Sequence, residues 1–172
     1  MISPVVVGGG VVAVLGLLAL SAFFSSSETA IFSLPPEWVE RESASDDQRA
    51  HVLRELYDDP HRLLVTLLVG NNIVNVAISS IVTVLIANYL PPGQAIVATT
   101  VVTSTLVLIF GEIVPKAFGL GNAQRWALAV ASPVRFVERA LSPAITLFDA
   151  VTRRMNAVLT VDPEIEKPYT ER

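Results

Sequence analysis

Apolar residues in this chain gather into long unbroken runs instead of alternating at the short periods of half-buried strands or helices. Residues 2–27 and 63–111 contain no Asp, Glu, Lys, Arg or His. A helix needs about 20 mostly apolar residues to cross a bilayer, so the first run holds one span. The second run is interrupted by Pro91-Pro92-Gly93, where proline cannot continue a helix and glycine favours a turn. It predicts two spans joined by a hairpin. The three predicted spans cover about 4–33, 61–89 and 94–119. No Lys or Arg precedes the first run, which is also longer than a signal-peptide core, so it reads as a retained span.

Between the first two spans, residues 34–60 are charged and mostly helix-permissive, with a loop expected near 43–47. This segment reads as a solvated connector with helical pieces. Residues 122–160 are apolar but broken by charges. From Pro133 onward, polar positions recur at 135, 138, 139, 142, 146, 149 and 153, and apolar ones at 137, 141, 144, 145, 148, 151 and 155. Both series step by three or four, which gives one polar and one apolar helix face. Such juxtamembrane helices lie in the membrane interface or against a partner, with Pro133 and Pro143 setting starts or kinks. Residues 161–172 are polar, carry two prolines and read as a linker. The expected fold is an all-α membrane protein: a transmembrane domain over 1–160, with three transmembrane helices and juxtamembrane amphipathic belt helices.

Composition narrows the function classes. The chain has 172 residues, 52% hydrophobic and 16% charged, with a mean hydropathy of +0.56. Soluble domains carry about 25% charged residues, so a free soluble globule is excluded. There is no cysteine, hence no disulfide and no thiolate metal site. With only His51 and His61, a multi-histidine site is out of reach. A net charge of −4 and a pI near 5.1 argue against nucleic acid as a partner. Arg41, Arg49, Arg54 and Arg62 flank the connector, the other basic residues follow Gly111, and the hairpin at 90–94 is uncharged. The positive-inside rule then places the connector and the C-terminus in the cytoplasm, and the N-terminus and hairpin outside.

Strongly polar residues inside spans are costly and mark functional sites by default. The first span closes on Ser25-Ser26-Ser27-Glu28-Thr29. The second carries Gly70-Asn71-Asn72-Ile73-Val74-Asn75, where Asn71 and Asn75 share a helix face that Ser79 extends. Asparagines in spans also serve as interhelical glue, worth roughly 1 kcal/mol each. The third carries Gly111-Glu112-Ile113-Val114-Pro115-Lys116. Pro115 has no N–H, so the carbonyl of Gly111 loses its helical donor and the helix bends or widens there. Lys116 stands four residues after Glu112, the spacing of a simple ion pair. Together the spans offer hydroxyls, amide carbonyls, one backbone carbonyl and one carboxylate. Oxygen-only sets suit hard cations such as Mg²⁺, Ca²⁺ or Na⁺. One carboxylate and one lysine make a poor catalytic set, so an enzyme is not expected.

Three ordered segments carry a family resemblance: Ala22-Phe23-Phe24-Ser25-Ser26-Ser27-Glu28-Thr29-Ala30, Leu68-Val69-Gly70-Asn71-Asn72-Ile73-Val74-Asn75 and Phe110-Gly111-Glu112-Ile113-Val114-Pro115-Lys116. They resemble the transmembrane domain of the CorC/CorB and cyclin M (CNNM) magnesium transporters over about residues 15–120. The family pattern often has glycine where Ser26 stands. The resemblance implies a homodimer in the cell (inner) membrane, with Mg²⁺ held among the spans and exported in a Na⁺-dependent manner. It also implies cytoplasmic CBS and C-terminal domains beyond this chain. Carried over by motif, Ser25, Asn71, Asn75, Gly111 and Glu112 form the ion site. Ser26, Asn72, Pro115 and Lys116 stand behind it or gate it. The competing expectations are a membrane anchor or dimerisation module for a cytoplasmic part, and a divalent-cation channel.

Overall fold

The computed structural model describes residues 3–159, with side chains through Leu147. The linker expected over 161–172 lies outside the described residues. Among the described residues every regular element is helical. In chain order these are α1 (Pro4–Phe32), α2 (Pro36–Ser43), α3 (Gln48–Asp58), α4 (Pro60–Ala87), α5 (Pro92–Leu106), a π-helical turn (Val107–Ile113), α6 (Val114–Gly121) and α7 (Ala123–Leu159). Proline stands in the first two positions of α1, α2, α4, α5 and α6. At the free starts of α1, α2, α4 and α5 its missing N–H costs nothing and its fixed φ already suits a helix. Ser3, Asp47 and Asp59 cap α1, α3 and α4 by accepting from Val6, Arg49 and Arg62 backbone N–H groups.

Among the described residues, three helices are long and apolar enough to cross a membrane: α1, α4 and the continuous run Pro92–Gly121 formed by α5, the π turn and α6. Their outward residues include Val5, Val12, Leu68, Val76, Ile96, Val97 and Leu120, all well exposed. A soluble monomer rarely presents so much apolar surface; facing lipid, it is the expected exterior. The chain is therefore an all-α membrane protein with three spans.

The first span, α1, is the central element. It packs against α4, the π turn, α6 and α7, and its last turns, Ser21 and Phe24 to Ser27 among them, are buried. Lipid provides no hydrophobic force between helices, so close backbone approach matters most. Two glycines show how close. A Cβ at Gly70 would lie 2.7 Å from the Phe24 ring, and one at Gly119 would meet the backbone carbonyl of Ser26.

The connector is more ordered than a solvated loop. Its two helices bury Trp38 and Val39 on α2 and Ala50, Leu53 and Leu56 on α3. In the tail, Pro133 and Pro143 start no new helix: α7 runs through both. Its inner face holds Ala127, Val130, Ala131, Val134 and Ile145. Glu138, on the expected polar face, is only 3% exposed. Its part of that face meets the start of α4. Glu138 accepts from Arg62 Nε and, at 2.8 Å, from Arg135 Nη1, while Arg135 Nη2 reaches Glu55 of α3 at 2.9 Å. The hydrogen bond from Arg135 to Glu138 holds its guanidinium charged beyond the ordinary arginine range, against partial burial. Trp126 Nε1 donates to Ser26 Oγ at 3.0 Å, which ties the start of α7 to the first span.

A Gly119→Ala substitution forces α6 away from α1, because its obstacle is backbone and cannot rotate aside. It is expected to destabilise the protein by about 1–3 kcal/mol. Gly121→Ala, with open space around the added carbon, is expected to be neutral. Thermal unfolding in detergent measures both, and equal midpoints would refute the close approach.

Candidate functional site

Each of the three spans brings polar atoms to one place near the end of α1. Ser21 Oγ lies 2.9 Å from Asn71 Oδ1 and 3.0 Å from Asn75 Oδ1. Four-residue spacing puts both asparagines on the same face of α4, and Ser21 is completely buried between them. A serine hydroxyl has a single proton, so it satisfies one carbonyl at a time. Asn71 Nδ2 faces Glu112 Oε1 at 3.5 Å, the long end of a hydrogen bond.

Span three reaches this cluster through its wide turn. Pro115 has no amide proton, and the helix before it loosens into the π turn Val107–Ile113, whose end is marked by Val114 N–H donating to Ile109 O five residues back. The widening is what the missing donor requires. Gly111, inside this turn, is buried against α1, where a Cβ would come within 2.7 Å of Ser21 Oγ. Glycine lets span three sit this close to the serine without displacing its hydroxyl, and the next residue, Glu112, then meets Asn71.

Ser25, one turn beyond Ser21, is 1% exposed and its hydroxyl has no hydrogen-bond partner. An unpaired buried hydroxyl costs about 1–3 kcal/mol, and Ser25 shares the Ser21 face of α1. The structure thus groups Asn71, Asn75, Gly111 and Glu112 around Ser21, with Ser25 on the adjoining turn.

The other four residues separate in role. Asn72 is exposed: it stands about 100° around α4 from Asn71, away from the cluster. Ser26 bonds to Phe23 O and receives the Trp126 indole, so it fastens α7 to α1. Pro115 is buried and shapes the π turn. Lys116 pairs with Glu28 at 3.5 Å instead of with Glu112. The helix spacing allowed the local pair, but Glu28 on α1 takes the ammonium. Among the described residues, no cationic side chain comes within ion-pair distance of Glu112, and no three His, Cys, Asp or Glu side chains form a cluster.

The sequence reasoning missed Ser21. The signal was its place four residues before Ser25, which puts both on one face; a lone serine in an apolar helix otherwise looks like one that bonds its own backbone.

Similarity to known proteins covers most of the chain. The family of cyclin M transmembrane N-terminal domains matches residues 12–172. A chloroplastic DUF21 domain-containing protein of Arabidopsis thaliana is 39% identical over 127 residues, covering 74% of this chain and 19% of that protein. A UPF0053 protein of Synechocystis is 32% identical over 142 residues, 83% of this chain and 41% of the relative. The UPF0053 inner membrane protein YfjD of Escherichia coli is 26% identical over 146 residues, 85% of this chain and 34% of its own length. The chain thus spans less than half the length of these relatives.

Two serines one turn apart are expected to behave oppositely in metal-free buffer. Ser21→Ala leaves the asparagine carbonyls without their donor and is expected to cost about 1–3 kcal/mol. Ser25→Ala removes an unpaired hydroxyl and is expected to be neutral or stabilising. Unfolding midpoints of the two variants check this, and a destabilised Ser25→Ala beside an unchanged Ser21→Ala would contradict the hydrogen-bond assignment.

Proposed function

The chain belongs to the family of cyclin M transmembrane N-terminal domains, and from that premise we propose that it is the membrane domain of a Mg²⁺ transporter exporting the ion in a Na⁺-dependent manner. The observation that carries this reading is the oxygen cluster at Ser21. Ligands of an octahedral ion at about 2.1 Å from its centre lie about 3.0 Å from one another. Ser21 Oγ stands at 2.9 and 3.0 Å from the two asparagine oxygens, hydrogen-bond lengths that match the edge of such a ligand shell. Mg²⁺ gives up its waters reluctantly, and several protein oxygens must meet it together.

In this reading Asn71 and Asn75 supply amide oxygens, Ser21 and Ser25 hydroxyls, Gly111 its backbone carbonyl, and Glu112 the negative charge. The Glu28–Lys116 pair is internally neutral, which leaves Glu112 to attract the cation. The resemblance further suggests a homodimer in the inner membrane, with the N-terminus outside and the C-terminus cytoplasmic. It also suggests CBS and C-terminal domains continuing beyond this chain. Na⁺ as coupling ion belongs to the same proposal.

A second reading, a membrane anchor or dimerisation module, draws on one specific fact: the asparagines already bond to Ser21, as packing glue would. The two readings diverge on titration. Calorimetry of the purified wild type is expected to show saturable Mg²⁺ binding, with Glu112→Ala losing it. Mg²⁺ is expected to raise the wild-type melting temperature where K⁺ does not. Unchanged affinity in Glu112→Ala sinks the site assignment. No Mg²⁺ response in the wild type favours the anchor. Flux into vesicles without a Na⁺ gradient would indicate a channel.

A further inference from the structure

Two more hydroxyls in span three lack partners. Thr99 Oγ1 and Thr103 Oγ1 are buried without any hydrogen bond, and with Ala95 they make up the buried face of α5. Helix geometry does not prevent a bond. Thr100, their neighbour, turns back onto Ile96 O at 2.9 Å. On α4, Ser80 and Thr83 bond to Val76 O and Ser79 O at 2.8 and 2.7 Å. Buried Thr66 does the same with Arg62 O at 2.8 Å. A serine or threonine inside a helix ordinarily quiets its hydroxyl this way. Thr99 and Thr103 do not, and they share that state with Ser25 beside the oxygen cluster.

Their position along the span gives the absence meaning. Gly111 touches the cluster at Ser21. Thr103 lies eight residues earlier, about 12 Å closer to the hairpin, and Thr99 about 6 Å further in that direction. The hairpin edge, where α5 begins at Pro92, is about 10 Å beyond Thr99. The α4 helix packs along α5, and its polar row continues the same way, from Asn71 and Asn75 to the half-buried Ser79. The two threonines are therefore spaced in steps between the cluster and the hairpin side of the membrane, in a stretch without charged side chains.

We infer that Thr99 and Thr103 line the hairpin-side half of the ion's route, as successive hydroxyls that the ion or its water shell engages on its way between the Ser21 cluster and that face. This rests on the transporter reading above. Mg²⁺ keeps much of its hydration during transfer, and a hydroxyl can accept from a coordinated water or offer its oxygen directly. Hydroxyls hold such water weakly, which suits passage better than storage. A carboxylate at either position would trap the ion, and a Val–Val wall would leave its water shell without partners.

The test uses the purified chain in vesicles of phosphatidylethanolamine and phosphatidylglycerol, with Mg²⁺ flux driven by a Na⁺ gradient and Mg²⁺ affinity measured by calorimetry. A Thr99→Val/Thr103→Val double variant keeps the side-chain shape and removes both hydroxyls. Transport is expected to fall at least tenfold, with Mg²⁺ affinity within twofold of wild type. Thr99→Ser/Thr103→Ser is expected to restore most of the flux. Full transport by the double valine variant overturns the inference and leaves the ion site standing, whereas absence of Mg²⁺ binding by the wild type overturns the transporter reading. An independent arm needs no flux. The chain has no cysteine, so Thr103→Cys is a unique thiol. A membrane-impermeant thiol reagent applied from the hairpin side is expected to modify it faster than a cysteine at lipid-facing Val101, and Mg²⁺ to slow that reaction. Equal or slower labelling at position 103 also overturns the inference.

Discussion

Three membrane spans meet where a single hydroxyl, that of Ser21, stands between two asparagine carbonyls at 2.9 and 3.0 Å. In lipid the helices gain nothing from hiding apolar surface from one another, so polar contacts and close packing must hold them. Both occur around this serine. Gly111 gives span three room to reach it, while Gly70 and Gly119 let α4 and α6 close onto the Phe24 ring and the Ser26 carbonyl. A side chain at Gly111 would press on the Ser21 hydroxyl itself, and one at Gly119 on the backbone of the same helix. The packing that makes the bundle is thus the same packing that assembles the oxygens.

Charge is arranged with equal economy. Glu28 and Lys116 neutralise each other across α1 and α6, and Glu112 keeps only a long contact with the Asn71 amide. In the proposed transport reading, a lone carboxylate among neutral oxygens would attract a cation and still let it go. Farther along, Glu138 lies buried between Arg62 and Arg135, and Arg135 extends to Glu55. These ion pairs connect the end of the connector, the start of α4 and α7. Glu138 is the buried member, so removing both arginines would leave its charge unpaired away from water. The Trp126–Ser26 bond adds a second fastening on the first span.

Much of this was legible in the sequence. The three spans follow from uncharged runs and one Pro-Pro-Gly break, because the bilayer imposes a length that composition alone reveals. The widened turn follows from Pro115, whose missing proton acts locally. Asn71 and Asn75 follow from helical spacing. What depended on contacts between helices was less legible. Ser21 is one of many small residues in an apolar run until α4 is placed beside it. Lys116 has a carboxylate four residues away in sequence, yet its partner is on another helix. Asn72 looks equivalent to its neighbours, though one residue of rotation takes it off the site. Glu138 fits the periodicity of a polar face, but its own side chain meets Arg62 at the start of α4. In each case the sequence gives the face of a helix and the tertiary packing decides what that face meets.

The central claim is that the Asn71 and Asn75 side chains take the ion. Selective ¹⁵N labelling of asparagine side chains, followed by NMR during Mg²⁺ titration of the protein in lipid nanodiscs, tests it most directly. Saturable shifts of the Asn71 and Asn75 amide signals, with Asn72 and Asn122 unmoved, are the predicted result. Signals of Asn71 and Asn75 that stay fixed at saturating Mg²⁺, or that move only in step with Asn72, would contradict the account.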